Sequence, residues 1–408
     1  MHAPREFDVV VAGGGPIGLT LALALSRARL RCAVVEAQPP PADAPAAEDD
    51  KSLVLALSTV NALRALAVWP AVEADATPVC AIHVSDRGHF GALRLTADSL
   101  HVPALGYVVP ARRLHLALAR ALGAQAPQAC LAPARLRAMQ VRADGVDAVV
   151  EFGGVERTIP AALVVGADGG ASQVRAGAGI YVRERDFGQT AIVTTVTPEL
   201  DHRGWAYERF TRTGPFALLP RPGGRCGLVW TVASDEAACI LALDDAAFLE
   251  QAWRRSGGRL GRFLAAGPRR AHPLKAVYAE RTVAERAVLV GNAAQVLHPN
   301  AAQGLNLGVR DVATLAERLA AAAAASADIG AREVLDGYAA ARRPDTRRTL
   351  ALSFSLASLF RIDSALAGCA RGLALTALDL LPPAKALLAR YGTGLGGRVP
   401  ALARGVPP

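Results

Sequence analysis

The amino-acid sequence predicts an α/β fold in which a parallel-sheet domain is interrupted by an inserted antiparallel sheet and followed by C-terminal helices. Three observations lead to this prediction. The chain begins with a strand, glycine turn, helix and strand, its middle part alternates in short runs split by Gly and Pro, and the pattern after Asp311 is mostly helical. Hydrophobic residues make up 52% of the 408 positions, which is enough for a full core.

A glycine-rich turn follows the first predicted strand. Residues 7–12 form a short, β-branched and mostly apolar run, and the turn GGGPIG occupies residues 13–18. A largely apolar helix is predicted over 19–29, and a second strand over 32–35 ends at Glu36. Glycines in this strand, turn, helix and strand context are a stronger signal than the glycine spacing alone.

The spacing of these glycines indicates a dinucleotide site. Gly13 permits the tight turn, Gly15 lets the backbone approach a pyrophosphate, and Gly18 allows close packing of helix and strand. The carboxylate of Glu36 would accept hydrogen bonds from ribose hydroxyls and repel a 2′-phosphate, so FAD or NAD is expected rather than NADP. A plain βαβ unit with a glycine turn is the structural alternative. The residues assigned to this site are Gly13, Gly15, Pro16, Ile17, Gly18 and Glu36.

A second apolar strand ends in small residues around an acid. Residues 163–175 read LVVGADGGASQVR, and Asp168 follows the end of the strand. A carboxylate in this place is either a helix cap or a ligand group, and Ser172 would equally well start the next helix. Taken alone, this segment favours a cap.

A third segment, residues 288–311, reads VLVGNAAQVLHPNAAQGLNLGVRD. It predicts a short buried strand, a long loop of small residues, and an amphipathic helix after Gly304. Small residues let backbone N–H groups approach a flat or anionic ligand, and the start of a helix offers unpaired donors. An ordinary α/β connection accounts for this segment equally well when it is taken by itself.

Together the three segments resemble the single-component FAD-dependent aromatic hydroxylases, which have the para-hydroxybenzoate hydroxylase-like fold. Residues 82–91, 104–109 and 347–360 are further similar to the ubiquinone-pathway members that hydroxylate 2-octaprenyl-6-methoxyphenol. The resemblance covers residues 6 to about 360. It implies a Rossmann-like FAD-binding domain with an inserted antiparallel β-sheet substrate domain, which would form one wall of a substrate pocket.

The implied domains alternate along the chain. The FAD-binding domain would comprise residues 1–75, 106–180 and 276–345, the substrate domain 76–105 and 181–275, and the C-terminal helical region 346–408.

The resemblance also implies roles for individual residues. Asp168 would lie near the cofactor and the region that faces the nicotinamide, and Arg112 would reach the pyrophosphate. Asn292, after Gly291, stands where most of the wider family has Asp in contact with the ribityl chain. Lys51 stands where the family usually has Arg, and a lysine cannot form the bidentate fork of a guanidinium.

The third segment would carry the residues nearest to the flavin ring. The resemblance implies that Pro299 lies over the flavin edge and that Gly304, Leu305 and Asn306 give backbone N–H groups to the pyrimidine end. Donors at a helix start suit the stabilisation of negative charge there. His298 is the titratable group of the loop, and a structural role is favoured over proton handling. The residues assigned to catalysis are His298, Pro299 and Gly304.

The implied reaction is a monooxygenation. In the family, reduced FAD reacts with O2, and a flavin C4a-hydroperoxide hydroxylates an electron-rich phenol, here a polyprenylated phenol. NAD(P)H would be a transient electron donor, and no metal would be required. The alternatives are a related FAD hydroxylase or reductase acting on another aromatic or prenyl substrate, and a non-catalytic flavin-binding scaffold of the quinone pathway.

Charge and composition bear on partners and location. The net charge of +9 has two interpretations: a compositional bias towards Ala, Arg and Gly, or attraction to an anionic membrane surface or acidic partners. The resemblance adds other ubiquinone-biosynthesis enzymes as candidate partners. Nucleic acid is disfavoured because aromatic residues are only 5% and interleave with no basic stripe. The six cysteines, without metal spacing, predict buried thiols in a reducing compartment.

The sequence predicts a cytoplasmic protein with room for peripheral contact at the inner face of the membrane. The N-terminus has no signal-peptide pattern, and no run of about 18 apolar residues predicts a membrane span. Residues 353–388 are apolar with few charges. They predict either a helix pair that covers the core or a surface for a lipid or a partner protein.

Overall fold

The centre of the fold is a mostly parallel sheet whose strands come from distant parts of the chain. The computed structural model describes residues 5–39, 51–298, 303–360, 362 and 364–408. Within these residues, the strands of this sheet lie in the spatial order Val283–Ala284, Ala287–Leu289, Leu163–Gly166, Val9–Ala12, Cys32–Val35 and Cys130–Leu131. Only the first runs antiparallel to its neighbour.

The parallel sheet is buried on both faces because successive side chains of a strand point to opposite sides. Val9 and Val11 pack into a core with the helices Pro16–Arg27, Ala111–Gln125 and Gln303–Ala324. Val10 points the other way. It packs against a three-stranded sheet, which consists of Ala134–Val141, Val146–Phe152 and Val155–Ala161.

A large, mostly antiparallel sheet forms the second part of the fold. In spatial order its strands are Gln295–Val296, Arg270–Ala279, Val182–Pro198, Cys226–Ala233, Gly214–Pro220, Trp205–Thr211, Ala81–Asp86 and Ala92–Thr96, with Phe263–Ala266 beside Val182–Pro198. Trp205–Thr211 and Ala81–Asp86 run parallel to each other. A smaller sheet contains Ser52–Ala56, Gly106–Pro110 and Thr77–Val79.

The two faces of the large sheet have different neighbours. On the outer face, Trp230 is fully buried and lies 5.5 Å from the ring of Phe248, in the helix Asp245–Ser256. The short helix Ala237–Leu241 packs on the same face. On the inner face, Ala191 and Val229 form a cluster with Phe354 of the helix Arg332–Leu359.

The helices Ala365–Leu380 and Pro382–Gly392 pack against the edge of the large sheet. Within the described ranges, no single helix is long and apolar enough to cross a membrane. These two helices meet the length and composition requirement only when counted together, and they are bent by 95° with respect to each other. The remaining helices are Leu57–Ala65 and Gln173–Gly177.

Two expectations differ from the structure. The first helix begins at Pro16 rather than at residue 19, because the fixed φ of proline suits the first helical position.

The second expectation concerns the cysteines. Burial raises the pKa of Cys32 and Cys226 to about 12, as expected for buried thiols. The expectation is wrong for the cysteines whose side chains are exposed, namely Cys130, Cys239 and Cys369.

Candidate active site

The three segments singled out in the sequence lie side by side at the carboxyl edge of the parallel sheet. Each donates a backbone hydrogen bond to the end of the neighbouring strand: Gly13 to the oxygen of Val35 at 2.8 Å, Ala167 to that of Ala12 at 2.8 Å, and Val290 to that of Gly166 at 2.9 Å. Ligands of open α/β sheets bind at this edge. The strand order thus brings remote parts of the chain to one binding position.

The segments are in van der Waals contact as well. A methyl group added to Gly13, which has a φ of +101°, would lie 2.5 Å from the carbonyl oxygen of Ala167. A methyl group on Gly291 would lie 3.2 Å from Cγ1 of Ile17, and one on Gly308 would lie 2.8 Å from Cδ1 of the same isoleucine. Side chains larger than hydrogen at these positions would push the segments apart.

The turn at residues 13–18 leaves space at one glycine and closes tightly at another. A methyl group on Gly15 would meet no atom within 4 Å, whereas one on Gly18 would lie 1.9 Å from the oxygen of Gly13. Pro16 opens the helix Pro16–Arg27, whose first turn contains no acidic residue and whose start has no side-chain cap in the described structure. This geometry suits the approach of an anionic group to the helix N-terminus.

Glu36 is tied to the glycine turn. The N–H of Gly14 donates to Oε2 of Glu36 at 2.6 Å, and the N–H of Gln38 donates to Oε1 at 2.8 Å. Each carboxylate oxygen has a further lone pair, and the side chain is partly exposed. Glu36 is therefore held in place with capacity left for ribose hydroxyls.

The helix Ala111–Gln125 also reaches the glycine turn. Nε2 of His115 lies 2.9 Å from the carbonyl oxygen of Gly14, a contact that the sequence analysis did not identify. Arg112 lies one turn earlier on the same face of the helix and is partly buried. Arg113 is directed elsewhere, because its Nε lies 2.7 Å from Oδ2 of Asp75.

Asp168 acts as a cap with one oxygen and leaves the other without a partner. Oδ2 accepts from the N–H groups of Gln173 at 2.7 Å and Val174 at 3.2 Å, and Ser172 accepts from the N–H of Arg175 at 3.0 Å. Oδ1 of Asp168 is buried and has no hydrogen-bond partner among the described residues. A buried carboxylate oxygen without a donor is costly. A bound ligand with a hydroxyl or N–H group at this point would supply the donor.

The loop of the third segment presents Asn292 outward. Gly291 is buried, and its N–H donates to Oδ2 of Asp311 at 3.1 Å. Nε2 of Gln295 donates to the same oxygen at 2.8 Å. The side chain of Asn292, between these anchored residues, is exposed. The loop is therefore fixed from behind while Asn292 stays accessible to a ligand.

The helix after the loop places backbone N–H donors at its start. It begins at Gln303, so Gly304, Leu305 and Asn306 lie in its first turn. The N–H groups of Gly304 and Leu305 have no carbonyl group four residues earlier within the helix. A methyl group on Gly304 would meet no atom within 4 Å. Pro299 lies outside the described residues.

The side chain of Asn306 anchors this helix start. Its Oδ1 accepts from the N–H of Ala56 and from Oγ1 of Thr59, both at 2.8 Å, and its Nδ2 donates to the oxygen of Val54 at 2.9 Å. Asn306 is fully buried. The sequence analysis gave Asn306 only a backbone role and missed this side-chain contact.

A buried ion-pair network holds the third segment from behind, and it too was not expected. Nε of Arg342 lies 2.7 Å from Oδ1 of Asp311, and its Nη1 lies 2.8 Å from Oδ2 of Asp345, which also pairs with Arg310 at 2.8 Å. Burial acts to lower the pKa of Arg342, but the carboxylates of Asp311 and Asp345 hold that pKa above its ordinary value. Arg342 therefore keeps its positive charge at neutral pH.

His298 joins the third segment to the inner face of the large sheet. Its Nε2 lies 3.2 Å from Oε1 of Gln189, whose Nε2 donates to the oxygen of Thr213 at 2.7 Å. The ring of Phe187 meets the buried imidazole edge-on at 4.7 Å. His298 is thus fixed at the boundary between the third segment and the large sheet.

Lys51 lies beside the helix that carries Arg112. Its carbonyl oxygen accepts from the N–H of Ala111 at 2.7 Å, and its side chain is exposed. Burial lowers the pKa of His272 on the large sheet, and the charge of Lys51 lowers it further. Lys51 therefore lies where the two parts of the fold approach each other.

A family model described as an FAD binding domain matches residues 6–353. The chain belongs to this FAD-binding family. It is an FAD-dependent monooxygenase, and the family resemblance inferred from the three segments is confirmed. The open glycine turn, the unpartnered oxygen of Asp168 and the helix start at Gly304 all fit FAD.

Curated relatives extend over most of the chain. Ubiquinone hydroxylase UbiL of Rhodospirillum rubrum is 41% identical over 408 residues, covering 99% of this chain and 94% of that protein. The 3-demethoxyubiquinol 3-hydroxylase of Escherichia coli is 33% identical over 315 residues, covering 76% of this chain and 79% of that protein.

A solved structure confirms the predicted fold class. The p-nitrophenol 4-monooxygenase PnpA of Pseudomonas putida DLL-E4 superposes with a TM-score of 0.80 at 17% identity, covering 97% of this chain and all of that one. At this identity, the similarity establishes the arrangement of sheets and helices and leaves the substrate open.

Proposed function

We propose that this enzyme hydroxylates a polyprenylated phenol of the 2-polyprenyl-6-methoxyphenol type in ubiquinone biosynthesis, using O2 and NAD(P)H. The observation that carries the proposal is the 41% identity to ubiquinone hydroxylase UbiL across 99% of this chain. The meeting of the three segments at one sheet edge supports it, because a single cofactor would then be bound by all three.

Each part of the FAD molecule has a set of residues that suits it. Gly13, Gly15 and Gly18 would hold the pyrophosphate and Glu36 the ribose hydroxyls. The unpartnered oxygen of Asp168 would accept a hydrogen bond from the cofactor. Farther along the sheet edge, we assign the ribityl contact to Asn292, a neutral replacement for the Asp of the wider family.

The helix start at Gly304, Leu305 and Asn306 would hold the ring system. FAD, when bound, supplies the oxygen chemistry of the reaction. The backbone N–H groups of these residues would stabilise negative charge at the pyrimidine end of the ring, since they are fixed before the reaction begins. Asn306 fixes them through its bonds to Ala56, Thr59 and Val54.

His298 and Gln189 would keep water out of the site. Their contact at 3.2 Å closes the loop of the third segment onto the inner face of the large sheet. The adjacent cluster of Phe187, Ala191 and Phe354 is apolar and suits a prenylated ring. Exclusion of water protects the activated oxygen from release as H2O2.

The proposed substrate also bears on where the enzyme works. A polyprenyl chain partitions into lipid, so we propose that the enzyme works at the membrane surface beside other enzymes of the pathway. We also propose that residues 1–345 divide into alternating FAD-binding and substrate segments, as the resemblance implies.

The test uses purified protein reconstituted with FAD. We expect a short-chain 2-prenyl-6-methoxyphenol to accelerate oxidation of NADH or NADPH and to yield a product heavier by one oxygen atom. The matched comparison compound is 2-methoxyphenol without the prenyl chain, which should react far more slowly. Turnover of another aromatic instead would favour the related-hydroxylase alternative. Bound FAD without turnover of any phenol would favour the scaffold.

A further inference from the structure

The helix Ala365–Leu380 exposes an uninterrupted apolar face. Leu366, Leu373 and Leu380 are 82%, 61% and 71% exposed, and their spacing of seven residues places them on nearly one line along the helix. The other exposed positions of this helix are Ala365, Cys369, Ala370, Ala374 and Ala377. A surface helix normally exposes its polar face and buries its apolar face. This helix instead exposes its apolar face.

The charged residues of the same helix point into the protein. Nε of Arg371 lies 2.7 Å from Oδ2 of Asp86, and both side chains are almost fully buried. Asp379 is also shielded, and it pairs with Arg94 at 2.6 Å and with Lys385 at 2.8 Å. Burial of charge beneath an exposed row of leucines indicates that the outer face meets an apolar medium.

The apolar surface continues past the end of the helix. Leu381 is 55% exposed and Leu387, in the helix Pro382–Gly392, is 57% exposed. We call Leu366, Leu373, Leu380, Leu381 and Leu387 together the docking face. Because the two helices are bent by 95° and packed on the large sheet, this face suits insertion into one leaflet rather than a crossing.

Basic residues predominate in the C-terminal part of the sequence. Residues 346–408 contain eight basic and two acidic residues, a net charge of +6 out of +9 for the whole chain. Arg390 is exposed beside Leu387, whereas Arg94, whose side chain is 59% exposed, is paired with Asp379. Each basic residue near an anionic leaflet adds to the attraction. Two copies of this surface would instead repel each other.

A cleft of about 630 Å³ opens at the end of the leucine row. Leu380 lines it together with Arg94, Arg259, Trp205 and Tyr207. Asp379 lines it as well, and its carboxylate is neutralised by ion pairs with Arg94 and Lys385. Arg259 forms no ion pair or side-chain hydrogen bond with any described residue. A guanidinium beside an indole and a phenol ring suits a phosphate at the boundary between headgroups and acyl chains.

We propose that the docking face inserts into the acyl region of an anionic phospholipid leaflet, while the cleft at Arg259 receives a headgroup phosphate. This placement would hold the enzyme at the bilayer without a transmembrane helix. The inference stands on the exposed helix and does not depend on the substrate proposed above.

The test is co-sedimentation of the FAD-loaded enzyme with vesicles of phosphatidylcholine, with and without phosphatidylglycerol. We expect binding mainly to the anionic vesicles, weakened by salt. The double variant Leu366→Gln/Leu373→Gln should bind at least tenfold more weakly. The matched control is Leu200→Gln/Leu264→Gln, which changes leucines that are 54% and 64% exposed elsewhere, and it should bind like the parent. Flavin absorbance and the melting temperature verify folding.

The headgroup site is tested separately with Arg259→Gln. This variant should bind the anionic vesicles several-fold more weakly and should bind the neutral ones unchanged. Equal losses in the Leu200/Leu264 control, or equal binding to both vesicle types, would overturn the proposal. A dimer of the parent that dissociates in the Leu366/Leu373 variant, without vesicle binding by either, would show that a second copy covers the face.

Discussion

Arg342 and Asp311 form a buried ion pair, with Nε 2.7 Å from Oδ1 and side chains only 5% and 2% exposed. The other oxygen of Asp311 accepts from the N–H of Gly291 and from Gln295. The pair therefore connects the helix Arg332–Leu359 to the loop that carries Asn292. It stabilises the loop of the proposed flavin site.

Replacement of Arg342 by Met should strongly destabilise the protein. The carboxylate of Asp311 would remain buried without its cation, which costs about 3–5 kcal/mol when one partner of such a pair is removed. The measurement is the thermal midpoint and the flavin content after purification. Arg343→Met is the control, because Arg343 is adjacent but exposed. Equal midpoints for the two variants would contradict the account.

Replacement of Gly13 by Ala should impair folding, whereas replacement of Gly15 by Ala should impair FAD binding. The Gly13→Ala variant should fold poorly, because the methyl group would lie 2.5 Å from the oxygen of Ala167 at a φ of +101°. The Gly15→Ala variant should keep the melting temperature of the FAD-free protein, since the methyl group meets nothing within 4 Å. Its FAD affinity should fall at least tenfold, because the added group occupies the space left for the pyrophosphate. Fluorescence titration with FAD measures this, and unchanged affinity in Gly15→Ala would argue against the assigned position.

His83 makes stability depend on pH. Burial, together with the charges of Arg259, Arg94 and Arg209, lowers its pKa from 6.5 to about 4. Between these values the unfolded chain binds a proton that the folded protein does not, so stability is lost as the pH falls through this window. Denaturant melts at several pH values measure the slope. The slope should flatten in His83→Gln and persist in the exposed-residue control His101→Gln.

His298 should control what fraction of the NAD(P)H consumed is coupled to hydroxylation of the substrate. The variant His298→Phe keeps an aromatic contact with Phe187 but loses the hydrogen bond to Gln189. Water would then enter between the loop and the large sheet. We expect a several-fold rise in H2O2 formed per NAD(P)H consumed, at similar FAD content. The ratio of hydroxylated product to H2O2 measures it, and an unchanged ratio would assign His298 a purely local role.

The convergence of the three segments was predictable because each contains the end of a buried strand. Strands of a parallel sheet end at the same edge, so Gly13, Asp168 and Gly291 had to come close if the strands were correctly identified. The docking face was harder to predict. Residues 365–380 are apolar nearly all round, and only the structure shows that Arg371 and Asp379 point inward.

The supporting contacts could not be predicted from local sequence. Arg342 lies 31 residues after Asp311 in a segment rich in arginine, and no pattern distinguishes the buried arginine from its exposed neighbours. Likewise, Gln189 meets His298 across 109 residues, in a contact that depends on how the large sheet lies against the loop. Such pairings follow from tertiary packing, which periodicity and spacing do not encode.

The most direct test of the central claim is the source of the oxygen atom in the product. FAD-loaded enzyme is supplied with NAD(P)H, a short-chain 2-prenyl-6-methoxyphenol and isotopically labelled O2. The mass of the product is then determined by mass spectrometry. The account predicts one labelled oxygen atom in a ring-hydroxylated product, with the yield lost in Gly15→Ala. Unlabelled product, or no product from a protein that binds FAD fully, would contradict it.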